Sequence, residues 1–284
     1  DPVDGDDLGV AWAGLDCLVG AEHAADGVVD ALGEHEDFER GGDRGVRRSA
    51  GDGMTPVIRA ANLTFSYDDG TRALDGVSFE LYPGECVALL GANGSGKTTF
   101  ALHLNGLLTG EGEIEVCGME LSKENLPPIR RKIGMVFQDS DEQLFMPTVL
   151  EDVMFGPLNM GLTPDQAGAR ARTALERVGM AGLEAKAPYH LSAGQKRRVA
   201  VAGVLAMNPE ILVLDEPTTY LDPPAERDLA VLLRELPQAK ILISHDMPFV
   251  RALASRAVFF ERGRIVAEGC VNEIVERFGW DLQL

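Results

Sequence analysis

One segment, GANGSGKT at residues 91–98, constrains the fold of this chain more than any other. It matches the pattern GxxxxGK[ST] and lies between the apolar run CVALL (86–90) and the helical pattern TTFALHLNGLL. Glycines let successive backbone N–H groups point into such a loop, where a lysine and a helix N-terminus help them to bind phosphate. The segment therefore predicts a buried strand, a phosphate-binding loop and a helix, in that order.

Further apolar runs extend this prediction to an α/β core. IGMVF (133–137), EILVLD (210–215) and KILIS (240–244) have the continuous apolar character of buried parallel strands, and helical stretches separate them. Two alternating runs before the loop, VIRAANLTFSY and VSFELY, predict an antiparallel β layer. The intervening segment 143–190 predicts an inserted helical subdomain, in which Thr163, Pro164 and Gln166 form a helix start with a capping box.

Charge and hydropathy exclude two classes of protein. The chain carries 45 acidic and 26 basic side chains, a net charge of −19, which disfavours nucleic acid as a partner. It contains no run of eighteen uninterrupted apolar residues, so we expect no direct membrane span. Residues 1–53 hold 14 acids, four arginines and 11 glycines, and we expect this acidic leader to be disordered and to take no part in the chemistry.

Three polar side chains follow apolar strands. Asp215 and Glu216 end the run ILVLDE, where one acid suits a Mg²⁺ ligand and the next suits a general base that polarises water. His245 follows the run KILIS, so we expect it to reach the γ-phosphate and to help orient the attacking water.

The stretch HLSAGQKRRVAVAGVLAM predicts a capped helix. Ser192 and Gln195 form a second capping box, and Lys196, Arg197 and Arg198 are expected to form a solvated face. A capped helix start with a serine hydroxyl is also an anion site, which we expect to be offered to a nucleotide lying on another subunit.

Together, LSAGQ, LDEP and the phosphate loop make residues 54–284 resemble the ATP-binding-cassette (ABC) ATPase family. The resemblance implies a P-loop NTPase, RecA-like fold, with ATP and Mg²⁺ as cofactors. It divides the chain into 54–90 (β layer and first core strand), 91–142 (P-loop and Q-loop core), 143–190 (helical subdomain) and 191–284 (signature helix, Walker B, D-loop, switch histidine and C-terminal strands and helix).

The resemblance also implies a role for each matching residue. Tyr67 resembles the aromatic that stacks on adenine, and Gln138 resembles the Q-loop glutamine that touches Mg²⁺ and senses the γ-phosphate. The Walker A loop is matched by Gly91, Asn93, Gly94, Ser95, Gly96, Lys97, Thr98 and Thr99. The Walker B acids are matched by Asp215 and Glu216, and the switch histidine by His245. The resemblance implies three Mg²⁺ ligands, Thr98, Gln138 and Asp215. It also implies three catalytic residues, Glu216, His245 and Gln138. The signature and D-loop, which complete a partner's site, are matched by Ser192, Ala193, Gly194, Gln195 and Asp222.

Two positions depart from the family pattern. Ala193 stands where a glycine is usual, and Tyr220 is bulkier than the small residue often found before Leu221 and Asp222. We expect both differences to modulate ATP hydrolysis rather than abolish it.

A single cassette with one signature cannot complete an active site, so the resemblance implies a dimer. Both a homodimer and a heterodimer with a related ABC ATPase are consistent with the sequence, because every catalytic position is present in this chain.

The stretch DSDEQLFMPTVLEDVMFGPLNMGL resembles the energy-coupling-factor branch of the family, particularly the cobalt and nickel type. Its acids Asp141 and Glu142 and its apolar residues Leu144 and Phe145 are expected to form a groove for a partner helix that bears arginines. The resemblance implies a peripheral subunit at the cytoplasmic face of the cell membrane, docked to a membrane T component and through it to a substrate-binding S component. Uptake of cobalt, nickel or a vitamin is the expected function. The alternatives are the ATPase of another ABC importer or exporter, or a soluble ABC ATPase without a transport role.

Overall fold

A computed structural model describes residues 54–139 and 143–280 of the chain. The predictions for the leader 1–53 and for Asp141 and Glu142 lie outside the described residues.

The central sheet follows from the short apolar runs, whose residues are buried on both faces. It has the order β10-β9-β3-β8-β7-β6, in which all neighbours pair in parallel except the hairpin of β9 and β10. Its strands are Cys86–Leu90 (β3), Ile133–Val136 (β6), Ile211–Asp215 (β7), Ala239–Ile243 (β8), Arg256–Glu261 (β9) and Arg264–Cys270 (β10). Strand β8 lies between β3 and β7, so the segments after these three strands meet at one edge of the sheet.

The second sheet is antiparallel, with the order β2-β1-β4-β5. Its strands are Ile58–Ser66 (β1), Arg72–Leu81 (β2), Glu111–Val116 (β4) and Met119–Glu120 (β5). The predicted hairpin accounts for β1 and β2. Strands β4 and β5 come from beyond the phosphate loop, whereas the sequence patterns predict this layer only within 54–90.

Helices cover the central sheet and form the subdomain. Their bounds are Lys97–Leu104 (α1), Leu126–Lys132 (α2), Val149–Asn159 (α3), Pro164–Arg177 (α4), Ala193–Ala206 (α5), Pro223–Glu235 (α6), Met247–Leu253 (α7) and Val271–Arg277 (α8), with a 3₁₀ turn at Pro188–His190. The capping box predicted for Thr163 and Gln166 is confirmed at the start of α4. Helix α4 buries Ala167, Ala171 and Leu175 on one face, as the helical period requires.

Two apolar clusters hold the layers together. One lies between the antiparallel sheet and the central sheet, where Phe100 of α1 packs against Phe79 and Phe260. The other joins the opposite face of the central sheet to helices of the subdomain and of the C-terminal part. The predicted fold class, a parallel α/β P-loop core with an antiparallel layer and a helical insert, is confirmed. Among the described residues, none of the helices has the length and apolar character needed to cross a membrane.

Candidate active site

The phosphate loop links β3 to α1, and its glycines are required by close approach of the backbone. Gly91 has φ +134°, and a Cβ there would lie 2.2 Å from the carbonyl oxygen of Phe260. Gly96, with φ +107°, would place a Cβ 2.5 Å from the carbonyl oxygen of Ala73. No larger side chain fits at either position without moving backbone, so the loop keeps a shape in which N–H groups can surround an anion.

Lys97 supplies the positive charge of this loop. Its Nζ donates to the carbonyl oxygens of Gly91 (2.7 Å) and Ala92 (2.9 Å). Burial lowers the pKa of Lys97, and the nearby carboxylates of Glu216 and Asp215 oppose that shift. Carbonyl groups of the loop itself therefore hold the ammonium group in place.

Thr98 and Asp215 bring two oxygen ligands together. Thr98 Oγ1 donates to Asp215 Oδ2 at 2.9 Å, across 117 residues of sequence. Burial raises the pKa of Asp215 to about 6, although the hydrogen bond from Thr98 opposes the shift. A hydroxyl and a carboxylate are hard oxygen donors of the kind that Mg²⁺ prefers, and a cation beside Asp215 would offset the cost of its buried charge. The residues present thus fit a Mg²⁺ ion.

Glu216 and His245 form the next part of the site. The backbone N–H of His245 donates to Glu216 Oε2 (3.4 Å), and His245 Nε2 lies 3.4 Å from Glu216 Oε1 and 3.0 Å from Asn93 Oδ1. Burial raises the pKa of Glu216, and burial lowers the pKa of His245, with the charge of Lys97 adding to the second shift. A carboxylate of raised pKa beside a neutral imidazole can accept a proton from water. Glu216 also has φ +43°, an unusual backbone conformation that turns the chain directly after β7.

Arg197 is the functional candidate that the sequence analysis missed. We expected it on a solvated face of α5, but its side chain is only 2% exposed. It donates to the carbonyl oxygens of Phe137, Gln138 (2.5 Å) and Glu216 (3.4 Å). This guanidinium, which belongs to the signature helix, therefore joins the backbones of the Q-loop and of the segment after β7. The spacing does carry a signal, since Arg197 precedes the buried residues Ala200 and Val201 by three and four positions on the same helix face.

The signature residues form the beginning of α5. Ser192 is the N-cap, its Oγ accepts from the N–H of Gln195 (3.3 Å), and Gln195 Oε1 accepts from the N–H of Ser192 (3.1 Å), which confirms the predicted capping box. Ala193 occupies the first helical position, as expected, and leaves this cap intact. A Cβ at Gly194 would lie 3.6 Å from Leu221, so the signature and the D-loop are neighbours.

The D-loop holds the second residue that departs from the family pattern. Asp222 caps α6, with its Oδ1 accepting from the N–H of Ala225 at 3.0 Å. Tyr220 has φ +64° and is 83% exposed. The left-handed backbone conformation is unfavourable for a large aromatic residue. The backbone of the D-loop is therefore strained at Tyr220, whose ring is exposed to solvent.

The remaining predicted residues lie around this centre. Tyr67 places its hydroxyl 2.9 Å from Thr99 Oγ1, at the start of α1, and its ring contacts Phe65 edge-on. Gln138 is exposed, and its carbonyl oxygen is tied to the site through Arg197. Ser95 is buried, with its Oγ 3.5 Å from Lys97 Nζ, and Gly94 turns the loop with φ +74°.

Only one of the two described groove residues is mainly exposed. Phe145 is 62% exposed and contacts the ring of Phe155 edge-on at 5.0 Å, whereas Leu144 is half-buried against the core. Asp152 fixes the backbone here, because its Oδ1 accepts from the N–H groups of Phe145 and Met146, both at 3.0 Å. Burial raises the pKa of Asp152 to about 6.

Comparison with known proteins agrees with this geometry. The family model described as ABC transporter matches residues 74–219. The energy-coupling factor transporter ATP-binding protein EcfA of Methanothermobacter thermautotrophicus is 48% identical over 224 residues, which cover 77% of this chain and 72% of that protein. Among solved structures, cbiO1 from Clostridium perfringens, part of the ABC transporter complex cbiONQ, has a TM-score of 0.71 and 37% identity over 78% of this chain and 92% of its own. The dimeric bacterial ABC transporter cassette MJ0796 has a TM-score of 0.68 and 29% identity over 75% of this chain and 98% of its own. The resemblance found in the sequence is confirmed: the chain belongs to the ABC transporter family of ATP-hydrolysing subunits, in the branch that includes the energy-coupling factor proteins.

Proposed function

We propose that this chain is the ATP-hydrolysing subunit of an energy-coupling-factor-type importer and that it drives uptake of cobalt or nickel ions, with a vitamin as the second candidate cargo. The observation that carries the proposal is its 48% identity to an EcfA protein. The likeness to cbiO1, whose complex is named as an ABC transporter, supports the same branch. In this proposal another polypeptide binds the cargo, and this chain drives its transport by binding and hydrolysing ATP.

Hydrolysis is assigned to the residues that meet at the sheet edge. The backbone of the phosphate loop and Lys97 bind the β- and γ-phosphates, while Tyr67 stacks on the adenine. Glu216 polarises the attacking water as general base, and His245 orients that water relative to the γ-phosphate. Gln138 senses the γ-phosphate and transmits its presence to the helical subdomain.

Mg²⁺ would be held by Thr98 and Asp215, with Gln138 as a further ligand in the nucleotide-bound state. When bound, the ion supplies charge neutralisation to the phosphate oxygens. The residues of this chain orient the nucleotide and hold the general base beside it.

The complete site requires two cassettes. Ser192, Ala193, Gly194 and Gln195, together with Asp222, contact the nucleotide of the opposing subunit, where the N-terminus of α5 and the Ser192 hydroxyl bind its γ-phosphate. ATP between the two subunits stabilises the closed dimer, and hydrolysis removes the bridging phosphate and lets it open. A homodimer is the simpler assembly, because this chain carries every motif; a heterodimer with a related ABC ATPase is the other.

The surface around Phe145 is proposed to dock the membrane T component, and through it the S component, at the cytoplasmic face of the membrane. An exposed aromatic residue on a backbone fixed by Asp152 provides a rigid apolar contact, which is typical of an interface hot spot. Asp141 and Glu142 would add acidic partners for arginines of the T component.

Uptake by cells that co-express this chain with metal-type T and S components tests the proposal. We expect accumulation of labelled Co²⁺ or Ni²⁺ that is abolished by Glu216→Gln. Phe145→Glu should lower uptake about tenfold or more and release the chain from the membrane fraction, while ATP binding stays unchanged. Val231→Glu is the matched control, because Val231 is also an exposed apolar residue but lies on α6, outside the subdomain.

Other outcomes would favour the alternatives. Full uptake by Phe145→Glu would reject the docking surface. If the chain supports uptake only when vitamin-type S components replace the metal-type ones, the importer stands and its cargo changes. If the chain hydrolyses ATP but associates with none of the T components tested, the result would favour an ATPase of another importer or exporter, or a soluble ABC ATPase.

A further inference from the structure

Trp280 lies in a turn that the sequence motifs do not include. Helix α8 ends at Arg277, Phe278 is its C-cap residue, and Gly279 follows with φ +60°. The N–H of Trp280 donates to the carbonyl oxygen of Val275 (2.9 Å), and that of Gly279 to the carbonyl oxygen of Glu276 (3.2 Å). This pair of hydrogen bonds is the Schellman motif, which fixes the direction of the chain just past a helix. The position of the Trp280 backbone is therefore well defined.

Aromatic contacts anchor the indole to the central sheet. Phe259 of β9 stacks on Phe278 with a centroid distance of 3.8 Å and an angle of 4° between the rings. Trp280 contacts the same Phe259 edge-on, at 5.2 Å and 87°. Phe259 pairs with Leu90, the last residue of β3 and the direct neighbour of the phosphate loop. The C-terminal turn is thus attached to the strand that carries the nucleotide loop.

From this position the indole reaches the imidazole of His245. The two ring centroids are 5.9 Å apart, with an angle of 31° between the planes. The Nε2 atom of the imidazole lies 3.0 Å from Asn93 Oδ1 and 3.4 Å from Glu216 Oε1. His245 is consequently held between polar atoms of the catalytic centre and the indole of Trp280.

We propose that Trp280 is a positioning residue that orients the His245 imidazole toward the γ-phosphate. The inference rests on the proposed role of His245 in hydrolysis. His245 lies just after β8 and its side chain is 42% exposed, so the polar contacts of Nε2 restrict the imidazole on one side only. A fixed aromatic ring beside it restricts its rotation further. An orientation that is set in advance lowers the barrier to hydrolysis without adding a contact to ATP.

ATP turnover of full-length variants in the co-expressed transporter complex tests this role. Trp280→Ala should lower kcat about fivefold and change the KM for ATP less than twofold, whereas Trp280→Phe should retain most of the activity. Phe278→Leu is the control, because it alters the same aromatic cluster while leucine keeps an apolar side chain against Phe259 and so preserves the turn; we expect its kcat to stay within about twofold of wild type.

A double-mutant cycle with His245→Ala separates positioning from general loosening. If Trp280 acts through His245, Trp280→Ala should have no further effect on kcat in the His245→Ala background. An additional fivefold loss there, or an equal loss in Phe278→Leu, would overturn the inference. If His245→Ala lowers kcat while Trp280→Ala does not, the inference fails and the role of His245 stands. If His245→Ala itself hydrolyses ATP normally, both fail.

Fluorescence provides a readout that does not depend on turnover. Trp12 and Trp280 are the two tryptophans of the chain, so Trp12→Phe leaves the indole of Trp280 as the single reporter. We expect His245→Ala to change its emission by about 20% or more, since the imidazole is in ring contact, and Tyr189→Ala to leave it unchanged. Identical emission with and without His245 would contradict the contact.

Discussion

At the scale of single residues, Arg197 connects three functional segments. Its guanidinium is buried and donates to the carbonyl oxygens of Phe137, Gln138 and Glu216. A buried charge is costly unless its donors are satisfied, and here backbone acceptors from two loops satisfy several of them. A planar guanidinium presents donors in several fixed directions and can therefore reach acceptors on different segments at once. Arg197 thereby couples the position of the Q-loop to that of Glu216, the proposed general base.

Replacement of Arg197 by methionine tests this coupling. Arg197→Met leaves buried carbonyl groups without a donor, so the free energy of unfolding should fall by about 2 kcal/mol or more, and kcat for ATP should fall about tenfold. Arg198→Met is the control, because Arg198 is the next residue on α5 and forms a surface ion pair with Asp228 at 2.8 Å. Its loss should cost about 0.5 kcal/mol or less in urea unfolding. Equal effects of the two substitutions would show that Arg197 is merely a packed side chain.

Individual residues of the site show which contacts can be predicted from the sequence and which cannot. The pairing of Thr98 with Asp215, and of Glu216 with His245, could be expected because each residue follows a strand whose carboxyl end lies at the same sheet edge. Charge alone could not place Arg197 in the interior, since arginine on a helix is usually solvated. Trp280 could not be placed at all, because its contact with His245 depends on a turn after α8 and on the packing of that turn against β9.

At the scale of elements, the chain contains two helix starts with the same local design. Thr163 and Gln166 begin α4, and Ser192 and Gln195 begin α5, each pair forming a reciprocal capping box. The corresponding hydrogen bonds differ by about 0.1 Å in length. The two caps therefore stabilise their helices to a similar degree. A functional difference between the two helix starts must come from what each one faces.

Alanine substitutions at the two N-caps measure that difference. Ser192→Ala and Thr163→Ala should each lower the free energy of unfolding by about 1 kcal/mol, because each removes one capping hydrogen bond. Only Ser192→Ala should lower kcat, by about fivefold or more, since the proposed contact of its hydroxyl with the opposing nucleotide is lost. The measurements are urea unfolding and steady-state ATP hydrolysis. Equal kcat in both variants would reject the assignment of Ser192 to the partner's site.

Elements were predictable where a local pattern determines them. The run 86–90 matches β3 and the run 210–215 matches β7 to within one residue, and residue spacing predicts both capping boxes. The pairing of β4 with β1 was not predictable, because EGEIEV carries four exposed or half-buried positions and little apolar signal, and its partner lies some fifty residues earlier. Such strands acquire their place from long-range pairing rather than from local preference.

At the scale of the whole molecule, the proposed function gives one chain two incomplete half-sites. In that proposal the phosphate loop, Asp215, Glu216 and His245 bind one nucleotide, while the start of α5 and the D-loop, which are neighbours through Gly194 and Leu221, serve the nucleotide of another cassette. If each group completes the site of another cassette, two copies related by a two-fold axis form two equal active sites. Blocking hydrolysis should then trap the closed assembly, because ATP bound between subunits stabilises the dimer by mass action.

Glu216→Gln is the variant that should trap the closed dimer. With ATP and Mg²⁺, we expect the purified variant to elute at twice the monomer mass in light-scattering chromatography, and with ADP at the monomer mass. Phosphate release should fall about 100-fold or more, since a general base contributes a factor of this order. Glu235→Gln, at the exposed end of α6, removes the same charge away from the site and should behave as wild type. Undiminished hydrolysis by Glu216→Gln would exclude Glu216 as the base, whereas a variant that binds ATP and stays monomeric would require a second, different cassette to complete the site.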